Sequence, residues 1–229
     1  MQKNTAHARY RFWLFALVGM FFWPQRLASV VTDFCASPGN DGPATPISGV
    51  INTYFAVAST SSVPVGGTSV GVNASVGATN TILPGDLVLL MQMQDADINY
   101  TNTNAYGDGV SEAGADPKPS TGALQDIASG YTAINSAGRY EFVRATNVVP
   151  VTGGTLTFMG GGPGNGAQYA YTNAAATPTH GQRRFQVIRV PQYTNVIVNA
   201  GLGVYRWNGT AGGVLIMDVL GNVDMKSQT

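Results

Sequence analysis

Three spacings in this chain of 229 residues invite a chemical reading. Gly67-Thr68-Ser69-Val70-Gly71 has the outline of a nucleophile elbow, and His180 follows in the order serine, acid, histidine. An elbow works because a strand turns sharply into a helix and lifts the serine hydroxyl to the helix start. Here Val72-Asn73-Ala74-Ser75-Val76 comes next and has no helical face, so a Gly/Ser turn beside a strand accounts better for the pattern. Gly162-Pro163-Gly164-Asn165-Gly166-Ala167 follows a strand and superficially fits a dinucleotide fingerprint. Pyrophosphate binding, however, requires a helix opening directly after the glycines. The residues from Gln168 to Asn173 make a poor helix, which leaves a wide turn.

The third spacing is Asp95, Asp97 and Asn99, with Asp108 beyond it. Alternating oxygen ligands suit calcium, which rigidifies polar loops in extracellular proteins. An EF-hand is excluded, because Tyr100 takes the obligatory glycine position and Tyr106 the position of the bidentate carboxylate. Asp95, Asp97 and Asp108 are therefore candidates for a different calcium site, set against the plainer role of keeping a strand end wet. No other cofactor is indicated. His180 is the one histidine beyond residue 29 and Cys35 the single cysteine, so zinc sites built from several imidazoles or thiolates are excluded. Asp218 lies in an otherwise apolar run, where a carboxylate needs a partner; a hydrogen-bonded sheet-edge position is preferred to a perturbed acid. Tyr100, Tyr106, Tyr131, Tyr169, Tyr171 and Trp207 fall in or near loops. Aromatic rings stack on sugars, which makes Trp207 and Tyr106 glycan candidates, although tyrosines of β proteins commonly close the rim of a core. Nothing here forms a catalytic constellation, and no enzyme is expected.

The elements that would position these residues are strands. Charged residues make up 10% of the chain against 29 glycines, a composition without the Glu, Lys and Arg that long surface helices need. Strand signals cover 50–57, 68–76, 86–94, 139–144, 154–159, 185–190, 194–198 and 214–220. In the third of these, Leu87, Leu89, Met91 and Met93 line one face while the other passes from Val88 and Leu90 to Gln92 and Gln94. That pattern predicts a strand buried on both faces at its start and on one at its end. The fold class expected is all-β, an antiparallel sandwich or a short solenoid-like stack, with one long irregular loop over about 95–137. Residues 30–46, rich in Pro, Gly and Asn-Asp, read as a linker, and 47–229 as a single β-rich module.

The first 29 residues read as a signal peptide. Lys3, Arg9 and Arg11 precede an apolar run from Phe12 to Trp23, Pro24 ends it, and Leu27-Ala28-Ser29 offers a cleavage site. The run is about a dozen residues, short of the roughly 20 that a permanent spanning helix needs. The mature chain is thus expected to be secreted or on the cell surface, with no membrane span after cleavage. Its balance is acidic by four charges, and only Arg183 and Arg184 are adjacent, which argues against nucleic-acid binding. Cys35, left unpaired near the new N-terminus, is a candidate for an interchain disulfide in an oxidising compartment.

Cys35-Ala-Ser-Pro-Gly-Asn-Asp-Gly42, Pro84-Gly-Asp-Leu-Val-Leu-Leu-Met-Gln-Met-Gln94, Tyr106-Gly-Asp-Gly109, Arg139-Tyr-Glu-Phe-Val143, Arg189-Val-Pro-Gln-Tyr193 and Trp207-Asn-Gly-Thr-Ala-Gly-Gly-Val214, in this order, carry a resemblance. Together they resemble the N-terminal region of large secreted bacterial surface proteins, some of them labelled adventurous-gliding-motility or repeat-rich adhesin-like. The resemblance implies a location and a modular role, and no reaction. In that group further Gly-rich repeats follow the segment like Gly213-Val-Leu-Ile-Met-Asp-Val219, so the expectation is a module of a longer parent. Function is accordingly expected to be architecture, adhesion or assembly, with partners that are other protein chains met by self-assembly or surface docking. The rival is an extracellular carbohydrate-binding or carbohydrate-active protein, with glycans as ligands.

Overall fold

The computed structural model describes residues 37–43, 46–97, 133–177 and 180–226. Cys35, Tyr106 and Asp108, the proposed signal peptide and most of the long loop lie outside the described residues. The described part is all-β, as expected. Thirteen strands run in chain order: β1 (Ile47–Val50), β2 (Thr53–Val57), β3 (Ser62–Val63), β4 (Ser69–Gly77), β5 (Leu87–Gln94), β6 (Tyr140–Ala145), β7 (Gly154–Met159), β8 (Tyr171–Thr172), β9 (Arg184–Arg189), β10 (Gln192–Tyr193), β11 (Val196–Gly203), β12 (Asp218–Val219) and β13 (Val223–Met225).

Six of them close into an antiparallel barrel in the order β2-β4-β7-β6-β5-β9. Strand alternation fixes what the barrel encloses. Phe55 and Val57, Val88 and Leu90, Val143 and Ala145, Leu156 and Phe158, Phe185 and Val187 point to one side and form a single buried cluster, the barrel interior. Each large side chain sequestered there contributes about 2–3 kcal/mol. The opposite faces of three neighbouring strands are apolar too. Tyr54 on β2, Leu89 on β5 and Ile188 on β9 form a second core with Val190 and Ala211, against which Val214 and Ile216 pack. The antiparallel strands are therefore a closed barrel and not an open two-sheet sandwich, and the 204–217 segment covers part of its outer wall.

That second core modifies two expectations. The run 214–220 is strand only at Asp218–Val219, because Val214 and Ile216 are used to cover the barrel. Similarly, the run 50–57 divides at Ile51-Asn52, ending β1 and opening β2. Gln92 departs from its expected wet face: it lies inside the barrel end, 1% exposed, with its amide donating to Thr172 O (2.8 Å) and accepting from Thr172 N (3.0 Å). A buried amide is tolerated when both its halves are bonded.

Outside the barrel β3 and β8 pair antiparallel, and the pairing of the other strands is parallel. β1, β11 and β13 form one three-stranded sheet, and β10 pairs with β12. Gln192 and Tyr193 face Asp218 and Val219, while Val196, Ile197 and Val198 face Val223, Asp224 and Met225. Each residue thus meets one 26 or 27 positions further along, the mark of a coil that has returned to lie on its predecessor. Solenoid-like stacking and a closed barrel coexist in one module.

Candidate functional site

The parallel stack starts from the 37–43 segment, read from sequence as a linker. These residues form turns and no strand, and they bond to the first coil: Asp41 N donates to Gln192 O (2.7 Å), Thr194 N to Gly42 O (2.9 Å), and Gln192 N to Asp41 Oδ2 (2.7 Å). Arg189 fastens the same segment to the barrel mouth, with Nε on Asp86 Oδ2 (2.7 Å) and Nη2 on Asp41 Oδ1 (2.5 Å). Burial works against the guanidinium charge, but the bonds to Asp86 and Asp41 outweigh it and hold the Arg189 pKa above its ordinary value.

Three further side chains fix the coils to the barrel wall. Asn52 donates to Ile216 O (2.7 Å) and accepts from Ile216 N (3.0 Å), Gln186 brackets Gly212 in the same way (2.8 and 2.7 Å), and the Tyr54 hydroxyl donates to Val214 O (2.5 Å). Burial pushes the Tyr54 phenol above its usual range, so it stays a neutral donor. The first coil then carries the second. Gly221 N donates to Thr194 O (2.8 Å), Leu220 N to Tyr193 O (2.9 Å), and Asn195 Oδ1 accepts from Asn222 N (2.9 Å). Gly221 is required at this corner, since a Cβ would lie 2.5 Å from Asn195 Oδ1.

The two outer sides of the stack differ. On the β1 side lie Pro43 and Pro46, and glycines in the left-handed region at 39, 42 and 49, features that blunt an edge. On the β13 side, Val223, Asp224 and Met225 are all exposed, Met225 to 65%, and Leu220 beside them to 64%. Among the described residues β13 is paired with β11 alone. An apolar strand left open on one edge is a template for another strand.

Elsewhere the candidate residues are drawn into packing. Asp95 and Asp97 do come together, at the exit of β5, but around His180 and not around an open cavity. His180 Nε2 lies 2.9 Å from Asp95 Oδ1 and Nδ1 lies 3.2 Å from Asp97 Oδ1. Asp95 also accepts from Ser136 N (3.0 Å) and the Ser136 hydroxyl, and Asp97 from Asn135 Nδ2 (3.0 Å) and Gly181 N (3.0 Å). Burial raises the Asp95 pKa, yet the bonds from Ser136 and His180 prevail and hold it below the ordinary value. Oxygens already accepting this many donors suit a structural clamp better than a calcium ion, and among the described residues no three His, Cys, Asp or Glu side chains are arranged so that they could hold a metal ion. His180 lies 85 residues from Asp95, a separation that leaves no local signal in the sequence.

Ser69 opens β4 opposite Thr157 and leads into strand, so it has no elbow geometry. Gly162 and Gly166 are needed because backbone passes close by: a Cβ at either would lie 2.1 Å from a carbonyl oxygen, Ala167 O or Gly66 O. A short 3-10 turn over Pro163–Asn165 stands where a phosphate-binding helix would have to begin. Asp218 accepts from Gln192 Nε2 (3.0 Å), a hydrogen-bonded strand carboxylate. Trp207 is half-buried on the 204–213 turn. The exposed aromatic surface is instead on β6, missed from sequence because Tyr140 and Phe142 lie in a strand: their rings meet edge to face at 6.1 Å, and Arg139 stacks 5.3 Å from the Tyr169 ring. They line a shallow cleft of about 810 Å³ with Glu141 and Gln168. Glu141 there accepts from Gln168 N (2.8 Å) and Tyr169 N (3.1 Å) and is the one carboxylate lining the cleft.

No protein-family model, curated protein or solved structure matches this chain. No helix among the described residues is long and apolar enough to cross a membrane.

Proposed function

We propose that the chain is a secreted or cell-surface structural module, without catalytic activity, that acts in adhesion or assembly. The observation that carries this reading is the parallel stack bolted to a closed barrel, blunt on the β1 side and open on the β13 side. A barrel has no edges of its own, so it supplies a rigid base while one edge remains for contact with another chain. The reading is further supported by the fate of the reactive residue types: Ser69 in a ladder, His180 in a clamp, Asp218 in a rung. Fractionation of cells exporting the tagged chain tests it. Surface-bound or fibrous material that is released to free monomer by Val223→Lys/Met225→Lys is the expected result; wild-type chain found only as free monomer in the medium would overturn the reading.

A second reading, an extracellular carbohydrate-binding protein, is favoured by the Tyr140–Phe142–Tyr169 cleft. Glycan-array binding lost in Tyr140→Ala and retained in the β13 variant would establish it. Hydrolysis would need a second carboxylate facing Glu141.

A further inference from the structure

The open edge repeats a motif as well as a geometry. Asn195-Val196-Ile197-Val198 in the first coil and Asn222-Val223-Asp224-Met225 in the second occupy equivalent positions, in register across the β11–β13 ladder. The Asn195 side chain closes one end of this rung. Asn195 Oδ1 accepts the backbone N–H of Asn222 (2.9 Å), and Val196 N donates to Asn222 O (2.9 Å). Asn222 holds the equivalent position on the second coil and is exposed. An asparagine repeated at this position would let each coil satisfy the corner of the coil that follows it.

We propose that the β12–β13 edge receives a further strand parallel to β13, with an asparagine above Asn222 and alternating β-formers after it, so that this chain is the closed first end of a parallel β stack. The inference rests on the assembly reading above and names its partner: a polypeptide segment of the Asn-Val-x-Met type. A second copy of this chain carries such a segment only in its own β13, already held against β11 and open on one edge, so two copies paired there would end the stack and not extend it; its β11 is covered on both sides and its β1 runs Ile47-Ser48-Gly49-Val50 without asparagine. Continuity favours the same hand and register, since the established β11–β13 pairing already pairs Val196 with Val223. The exposed Leu220, Val223 and Met225 would then be covered as Thr194, Val196 and Val198 are covered now.

The test uses the purified chain and a blocked synthetic peptide of the 216–226 sequence, Ile-Met-Asp-Val-Leu-Gly-Asn-Val-Asp-Met-Lys. Saturable binding is expected, absent for the reversed sequence and weakened about tenfold or more in Asn222→Ala, whose side chain is exposed and whose melting temperature checks that the variant folds. Direction is read from cysteines in a Cys35→Ser background. A Val223→Cys chain should form a disulfide with peptide carrying cysteine at its own Val223 position, because in-register Cα atoms fall within disulfide reach. Linkage through the Met225 position instead would indicate antiparallel docking and overturn the proposal. So would no binding up to millimolar peptide, or self-association of the chain that the peptide does not compete. If those failures occur while exported chain remains surface-bound and edge-dependent, the inference falls and the assembly reading stands.

Discussion

Arg189 Nε donates to Asp86 Oδ2 at 2.7 Å inside the mouth of the barrel, 103 residues apart in sequence. Asp86 is 1% exposed and also accepts from Leu83 N and Asn40 Nδ2. This pair joins the barrel to the segment on which the parallel stack begins, through the second bond from Arg189 to Asp41. Arg189→Met therefore strands a buried carboxylate and should cost about 3–5 kcal/mol in urea unfolding. Arg189→Met/Asp86→Leu should recover much of that loss, since the charge left unpaired is what makes the single variant severe. Equal losses in the two variants would show that the pair itself, and not the stranded charge, is decisive.

Asn52 holds the coils against the barrel wall from within, fully buried and bonded to both backbone groups of Ile216. Asn52→Ala should cost about 1–3 kcal/mol, the usual penalty for unsatisfied buried groups. Hydrogen exchange should show where: amides of 214–225 lose protection while those of β4, β6 and β7 keep theirs. Uniform loss across all strands would mean that stack and barrel unfold as one unit.

The Asp95–His180 clamp gives the chain an acid-sensitive corner. The folded-state pKa of Asp95 is depressed, so its contribution is present above the unfolded value and is lost as pH falls through the folded one. Melting temperature should consequently fall from about pH 4 downward, and Asp95→Asn should be less stable than wild type at neutral pH and flatter across the acid range. Parallel acid profiles for the two proteins would contradict this assignment.

Gly77 and Gly71 lie in the same strand and should respond oppositely. Gly77 has φ +88°, and a Cβ there would lie 2.6 Å from Asn52 O and 2.8 Å from Tyr54, whereas nothing lies within 4 Å of a Cβ on Gly71. Gly77→Ala should cost about 1–3 kcal/mol, and Gly71→Ala should stay within about 0.5 kcal/mol of wild type. Chemical denaturation of the two variants side by side checks it.

What could be read from the residues beforehand was local. The alternation Val88-Leu89-Leu90 identified a strand buried on both faces, because two covered faces leave an unbroken apolar run. The same logic failed four residues on, where Gln92 looks like a wet face; only the fold shows that Thr172 meets its amide inside the barrel end. Closure into a barrel was not legible, since alternation fixes which side of a strand is buried and not which strand is its neighbour. Asp218 was read correctly as hydrogen-bonded, because an apolar run constrains its carboxylate. The Asn-Val repeat at 195 and 222 was visible but short, and it acquires meaning only when register places the two asparagines on successive coils. His180 carried no clue to Asp95 and Asp97, for the contact is long-range and polar.

The β13 edge is the place at which this module is proposed to meet another chain. A photo-reactive residue replacing Met225 in exporting cells tests it most directly, with the same residue at Val148, 54% exposed on the barrel, as the comparison. The account predicts a covalent adduct from position 225 and none from 148, with the captured peptide lying in an extended segment. Adducts from both positions alike, or from 148 alone, would contradict it.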